Sequence, residues 1–188
     1  MWGHLGTVGV NRIGMSSSYS QALCEAMTLC AEHPKAIFLG QAVASEGTAM
    51  YHTLKHLPSE KRLELPVAEN MQLGMSTGLA LQGHLPISIF PRINFLLEAI
   101  SQLVQHLDKI PLYSDYRPKV LIRTAIATPY PLDPGSQHLG DYTDPLIAML
   151  KTVRVRRLET PEDVMVSYKE ALEFNGSTLL VEYTRLYE

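Results

Sequence analysis

The sequence predicts an α/β domain of three layers, α/β/α, with a mostly parallel central sheet of about six strands. Three observations predict it. Six short runs are apolar or β-branched almost without interruption, as strands buried on both faces of a parallel sheet are. Segments with helical starts and stops lie between those runs, so consecutive strands are joined by right-handed crossovers rather than hairpins. The chain has 188 residues, 46% hydrophobic and 19% charged, enough to bury one core of this kind.

The elements follow in chain order. Residues 1–15 carry four glycines and no periodicity, and read as an N-terminal arm, disordered or non-native, with the domain proper over 16–188. Ser18 with Gln21 three residues on forms a capping-box pattern that opens a helix. Ala36–Gly40 is the first strand. Leu63–Val67 is read as a second, buried strand that runs through Ala68 to an acidic tip, Glu69, and turns at once into a helix capped by Asn70 and ended by Gly83. Pro86–Phe90 is the third strand. A helix over 93–107 then carries Ile93, Leu96, Leu97, Ile100, Leu103, Val104 and Leu107, a stripe wider than one core-facing side needs. That width predicts packing on the sheet with one side and on another subunit with the other. Lys119–Thr124 is the fourth strand. Ala125 to Tyr142 is irregular and holds Pro129, Pro131 and Pro134, which argues for a stiffened, functional loop. Asp144 with Pro145 reads as a cap plus a proline at the first helical position. Val153–Arg157 is the fifth strand, Thr160-Pro161-Glu162-Asp163 caps the next helix with acids in its first turn, and Thr178–Glu182 is the sixth strand.

Composition excludes several classes of function. A net charge of −3 gives no general affinity for nucleic acid or an anionic membrane. The basic cluster Arg154, Arg156 and Arg157 alternates along a strand and reads as a solvated or partner-facing strand end. Cys24 and Cys30 do not share a helical face, so a disulfide between them is not expected, and a reduced, cytoplasmic compartment is. No apolar run approaches the roughly 20 residues of a membrane span, and no secretory signal is visible. Neither a Gly-x-Gly-x-x-Gly after a strand nor a Gly-x-Ser-x-Gly elbow occurs. His52 and His56 lie four apart, but Lys55 stands between them with no third ligand nearby, so a solvated helix is the reading. Turn and cap duties account for Asp133, Asp141 and Asp144.

Taken in order, Ala36-Ile37-Phe38-Leu39-Gly40, Leu65-Pro66-Val67-Ala68-Glu69, Gly74…Gly78…Gly83, Pro86 to Phe90, Asn94-Phe95 opening an apolar helix, Gln137-His138 and Thr160-Pro161-Glu162-Asp163 form a recognisable series. It resembles the pyrimidine-binding domain of the transketolase-like thiamine diphosphate enzymes, most of all the N-terminal half of 2-oxo-acid dehydrogenase beta subunits. The resemblance covers about Ser16 to Tyr187, and it is the order of the motifs that is specific rather than any one of them. It implies that Glu69 hydrogen-bonds a ring nitrogen of the cofactor's aminopyrimidine and favours its imino tautomer. It also implies that Phe95 packs against that ring, and that His138 reaches the active site near the substrate. Gln41 stands at a cofactor-binding position where beta subunits usually carry an acid, which alters any proton relay there. The loop from Thr124 to Pro134 is also rewritten, and Arg123 before it could meet a carboxylate or serve as a surface charge.

The same family holds the diphosphate through a divalent metal on a second domain, marked by Gly-Asp-Gly and a later Asn. Gly140-Asp141-Tyr142 does not match that marker. The resemblance therefore implies half an active site. A separate diphosphate-binding subunit would hold Mg and complete it, within a homodimer or heterotetramer formed through the helix 93–107, and the chain alone would be inactive. Carbon–carbon bond cleavage or transfer on a 2-oxo acid or ketose-like donor is the implied reaction. The alternatives are a non-catalytic scaffold or regulatory module that keeps the fold and interface, and an unrelated α/β enzyme using His138 and the loop acids.

Overall fold

The structure, a computed structural model, describes residues 18–130 and 133–187. The expected arm over 1–15 and Pro131 of the long loop lie outside the described residues. Six strands form one sheet: β1 (Ala36–Gly40), β2 (Arg62–Glu64), β3 (Leu85–Phe90), β4 (Leu121–Ile126), β5 (Arg154–Arg157) and β6 (Thr178–Tyr183). Their order is β2-β1-β3-β4-β6-β5, and every pairing is parallel. β3, β4 and β6 are buried at every position, which is why their sequences read as continuous apolar runs.

Each face of the sheet carries a helical layer. On one, α1 (Ser18–Ala31) packs with α7 (Pro161–Glu173) over a core that includes Leu23, Met27, Phe38, Ile87 and Tyr168. On the other, α3 (Glu69–Leu81), α4 (Ile93–Leu96) and α6 (Thr143–Met149) enclose a second core around Leu73, Phe90, Leu103, Ile122 and Leu179. Two short helices, α2 (Ala49–His52) and α5 (Ile110–Tyr113), complete the set. Thr160 caps α7 as its sequence predicts: its hydroxyl accepts from the Asp163 amide, and the Asp163 carboxylate accepts from the Thr160 amide. Gly83 follows α3 at φ +76°, the left-handed conformation that ends a helix.

Several expectations need correction. β2 is three residues long and lies at the sheet edge, half exposed rather than buried. The Leu65 amide still bonds Gly40 O at 2.8 Å, but Pro66 has no N–H to continue the ladder, and Val67 is exposed. Glu69 is therefore not a strand tip; it is the first residue of α3. Asn70 does not cap that helix, whose N-cap is Ala68, and its Oδ1 accepts instead from Gln102 at 3.3 Å. α6 starts before Asp144: the Asp141 carboxylate takes the Thr143 amide at 2.9 Å, and Asp144 pairs with Arg157 at 2.6 Å. With Arg156 on Glu170 and Arg154 over the Phe174 ring, that pairing accounts for the basic cluster.

The helix over 93–107 is composite. α4 passes into a 3₁₀ turn (Leu97–Ala99) and then a π-helical stretch (Gln102–Leu107). Tight winding followed by wide winding keeps Ile93, Leu96, Ala99, Leu103 and Leu107 on one buried line, with Ile100 and Val104 packed beside them. Much of the wide stripe is thus used inside the domain.

Asp108 ends this stretch with its side chain fully buried. Oδ1 accepts the amides of Lys151, Thr152 and Val153 at 2.8, 2.7 and 3.1 Å, and Oδ2 meets Lys109 at 2.8 Å, tying the helical layer to the entry of β5. Burial alone opposes the charge, but Lys109 and the three amides hold the carboxyl at about 2, below the ordinary 3.8. A depressed folded-state value means stability that is complete above the unfolded value and lost as pH falls from about 4 toward 2. Urea denaturation should lose about 2 kcal/mol over that window from this group, and Asp108→Asn should flatten that part of the acid limb; an unchanged limb in the variant refutes the assignment.

Candidate functional site

The strand order reverses between β1 and β3: the chain leaves β1 toward β2 on one side and leaves β3 toward β4 on the other. In an open parallel sheet such a switch point opens a crevice at the carboxyl ends of the strands. A cleft of about 820 Å³ lies there, with Gln41, Thr48 and His52 from the segment after β1, Arg92 and Phe95 from the segment after β3, and Thr128 beyond β4 among its walls.

Local chemistry shapes both sides. β1 ends on Gly40 at φ +146°, where a Cβ would stand 2.2 Å from Ile89 O of β3, so glycine alone permits the close approach. Ala42 follows at φ +54°, a left-handed conformation unusual for a side-chain-bearing residue. The carboxylate of Glu64, at the end of β2, holds this turn by accepting the amides of Ala42, Val43, Ala44 and Ser45 at 2.7 to 3.0 Å. Burial pushes the Glu64 carboxyl up, and the four donors prevail and lower it. Glu64→Ala should speed hydrogen exchange at the 42–45 amides by tenfold or more while leaving β3 and β4 protected, since each charge-assisted bond contributes about 1.5–3 kcal/mol; unchanged exchange there would show that the turn holds itself.

Glu69 is buried in the first turn of α3, where a carboxylate suits the helix dipole. Its Oε1 accepts from Gln41 Nε2 at 3.0 Å, and Oε2 has no hydrogen bond among the described residues. One residue turn on, Gln72 Nε2 donates to Ser88 Oγ (3.1 Å) and Ile89 O (2.9 Å), fixing α3 against β3. Phe95, half-buried in α4, meets His138 edge to face, with centroids 5.5 Å apart and planes at 75°. His138 ends a 3₁₀ turn (Ser136–His138) after Gly135 at φ +85°. Its Nε2 lies 2.9 Å from Gln137 Nε2, and its buried Nδ1 has no partner among the described residues.

The fold thus pairs Gln41 with Glu69 and Phe95 with His138, and brings Gln41 and Phe95 to the same cleft. Glu69 lies behind Gln41 rather than in the cleft wall, and no hydrogen bond or ring contact joins it to Phe95 or His138 among the described residues. Sequence reasoning missed Glu64 and Arg92. Nothing local in a strand-end acid shows that it accepts a turn about 20 residues upstream. His52 lines the cleft while His56 meets Thr28 Oγ1 at 2.9 Å, so the two histidines serve different places, and no His, Cys, Asp and Glu group suited to a metal occurs among the described residues. Cys24 and Cys30 are both free thiols.

The six-stranded parallel sheet, its two helical layers and the switch-point cleft are consistent with the transketolase-like fold that the motif order resembles. A solved chain described as "Split gene transketolase, inactive beta4 tetramer" superposes with a TM-score of 0.65 at 22% identity, over 89% of this chain and 51% of that one. This chain therefore spans about half the length of that one, and at such identity the match shows the fold. No protein-family model matches the sequence, and no curated protein does.

Proposed function

We propose that this chain supplies the aminopyrimidine half of a thiamine diphosphate site, as one subunit of a split enzyme that cleaves or transfers a carbon–carbon bond next to a carbonyl. The observation that carries the reading is the Gln41–Glu69 pair set beside a cleft that also holds the Phe95 ring. The residues present fit such a cofactor. Phe95 offers a flat apolar face in the cleft, Glu69 behind Gln41 has one carboxylate oxygen without a hydrogen bond among the described residues, and the cleft has room for a heteroaromatic ring. When bound, the cofactor supplies the carbanion chemistry. The chain's own residues do the rest. Gln41, which lines the cleft, would orient Glu69 by engaging Oε1 and would leave Oε2 as the oxygen available to a ring nitrogen of the bound cofactor. His138, edge to face against the Phe95 ring, would be the imidazole that serves the substrate. Where beta subunits carry an acid, Gln41 donates an amide hydrogen instead, so it orients Glu69 without relaying a proton.

The missing half of the site falls to a separate diphosphate-binding chain that carries the divalent metal. Exposed apolar side chains cluster at the entry to and along α3 (Val67, Met71, Met75 and Leu81), next to Glu69, which suits a subunit boundary there. The solved chain of like fold is itself a split-gene transketolase in an inactive beta4 tetramer, the behaviour this reading expects of a subunit without its complement. The donor is a 2-oxo acid or a ketose.

Co-purification with a tagged chain tests this. The expected partner carries Gly-Asp-Gly and a downstream Asn, and calorimetry should show thiamine diphosphate and Mg binding to the complex and not to the isolated chain. Full turnover by the chain alone refutes the split site. A complex whose activity survives Glu69→Ala points to the scaffold alternative.

A further inference from the structure

We infer that Arg92 is the anion-recognising residue of the cleft and selects donors bearing a carboxylate or phosphate, a subsite that rests on the reading of the cleft as the donor site. Arg92 leaves the tip of β3, half exposed, and lines the cleft. Its guanidinium lies 6.0 Å from the centroid of the Phe95 ring, so it stands beside the surface assigned to the cofactor. Other arginines are spoken for: Arg123 by Glu182, Arg156 by Glu170, Arg157 by Asp144, Arg117 by backbone carbonyls, and Arg154 by the Phe174 ring at 3.4 Å. Arg92 makes no hydrogen bond or ion pair among the described residues. The acid among the cleft-lining residues, Glu46, is exposed on the loop after β1.

A guanidinium fork held at a cleft wall and lacking a protein carboxylate presents paired N–H donors to any planar or tetrahedral oxyanion. Walls that exclude water on one side strengthen that attraction. His52 and the hydroxyls of Thr48 and Thr128 line the same cleft, and Thr48 Oγ1 is buried without a partner, so further donors are at hand for the remaining anion oxygens. The site is therefore matched to a small polar donor with an anionic end, and against a neutral sugar or aldehyde.

The test uses the isolated chain, to which every residue named in the anion site belongs. Side-chain NMR of the Arg92 Nε–H is followed while pyruvate, inorganic phosphate and sodium chloride are titrated at matched ionic strength. One of the first two should shift the Arg92 resonance saturably and chloride should not. A pyruvate response identifies a 2-oxo acid donor, and a phosphate response a phosphorylated sugar. Arg92→Gln should weaken that binding by about tenfold or more, a loss of one charge-assisted contact, and Arg92→Lys should restore part of it. The proposal fails if neither anion moves Arg92, or if Arg92→Gln binds both as wild type does. Calorimetric binding of thiamine diphosphate to the assembled wild-type complex reports separately on the cofactor reading: no cofactor binding with an intact anion titration overturns the cofactor reading alone, and cofactor binding with no anion response at Arg92 overturns the Arg92 subsite alone.

Discussion

Replacing Glu69 with Gln in the assembled enzyme should lower kcat by about 10²- to 10⁴-fold, the usual contribution of a positioned acid–base group. The substitution is nearly isosteric. Oε1 retains an acceptor for Gln41 Nε2, so the first turn of α3 and the wall built by Gln41 keep their geometry. What disappears is the capacity of the second oxygen to hold or release a proton. Thermal stability should consequently change little, because the side chain satisfies no buried donor besides Gln41. Cofactor affinity should fall far less than turnover, since ring packing on Phe95 is untouched. Gln41→Glu offers a complementary arm: two carboxylates would face each other, one would be driven to protonate, and the pH profile of kcat should move toward alkaline values. Wild-type turnover in Glu69→Gln removes Glu69 from the chemistry.

The second large effect is structural. Arg123 lies in the middle of β4 and is fully buried, a correction to its reading as a surface charge, and the carboxylate it meets is the chain's own Glu182. Nε and Nη2 bind the two oxygens of Glu182 on β6 at 2.5 and 3.0 Å, and Nη1 donates to Thr53 Oγ1 at 2.8 Å. The Tyr187 hydroxyl also donates to Glu182, and Tyr168 approaches it at 3.4 Å. Burial, with Glu182 close by, pushes both tyrosines well above the ordinary phenol range, so they remain donors. Arg123→Met strands the Glu182 charge in the core and should cost about 3–5 kcal/mol, which for a chain of this length is about a 10 °C fall in Tm. Glu182→Leu alone should do similar damage. The double variant should recover a good part of the loss, because no uncompensated charge remains. Simple addition of the two penalties would show that packing, and not the ion pair, sets the cost.

The fold was largely legible. Five of the six strand runs match the structure to within two residues, because a strand buried on both faces must be apolar throughout, and that is visible in Pro86 to Phe90 without knowing its neighbours. β2 was misjudged for the complementary reason: an edge strand is relieved of the need to be buried, and Pro66 stops it early. In the site, the motif order singled out Gln41, Glu69, Phe95 and His138. The structure pairs Gln41 with Glu69 and Phe95 with His138, with Gln41 and Phe95 on one cleft and no hydrogen bond or ring contact between Glu69 and the Phe95 ring among the described residues. Arg123 was not legible, since an arginine in a strand looks the same whether its end meets solvent or a buried Glu 59 residues on.

The sequence by itself determined the layers: alternating apolar runs and capped helices are properties of neighbouring residues, and burial of those runs leaves little choice but a parallel sheet with helices on both faces. Only the tertiary structure decided the polar chemistry. Gln41 finds Glu69, Glu64 finds the turn at 42–45, and Asp108 finds the amides at 151–153 because crossovers bring distant segments to one edge. A polar side chain's partner is set by that geometry in space, and nothing in its sequence neighbourhood encodes it.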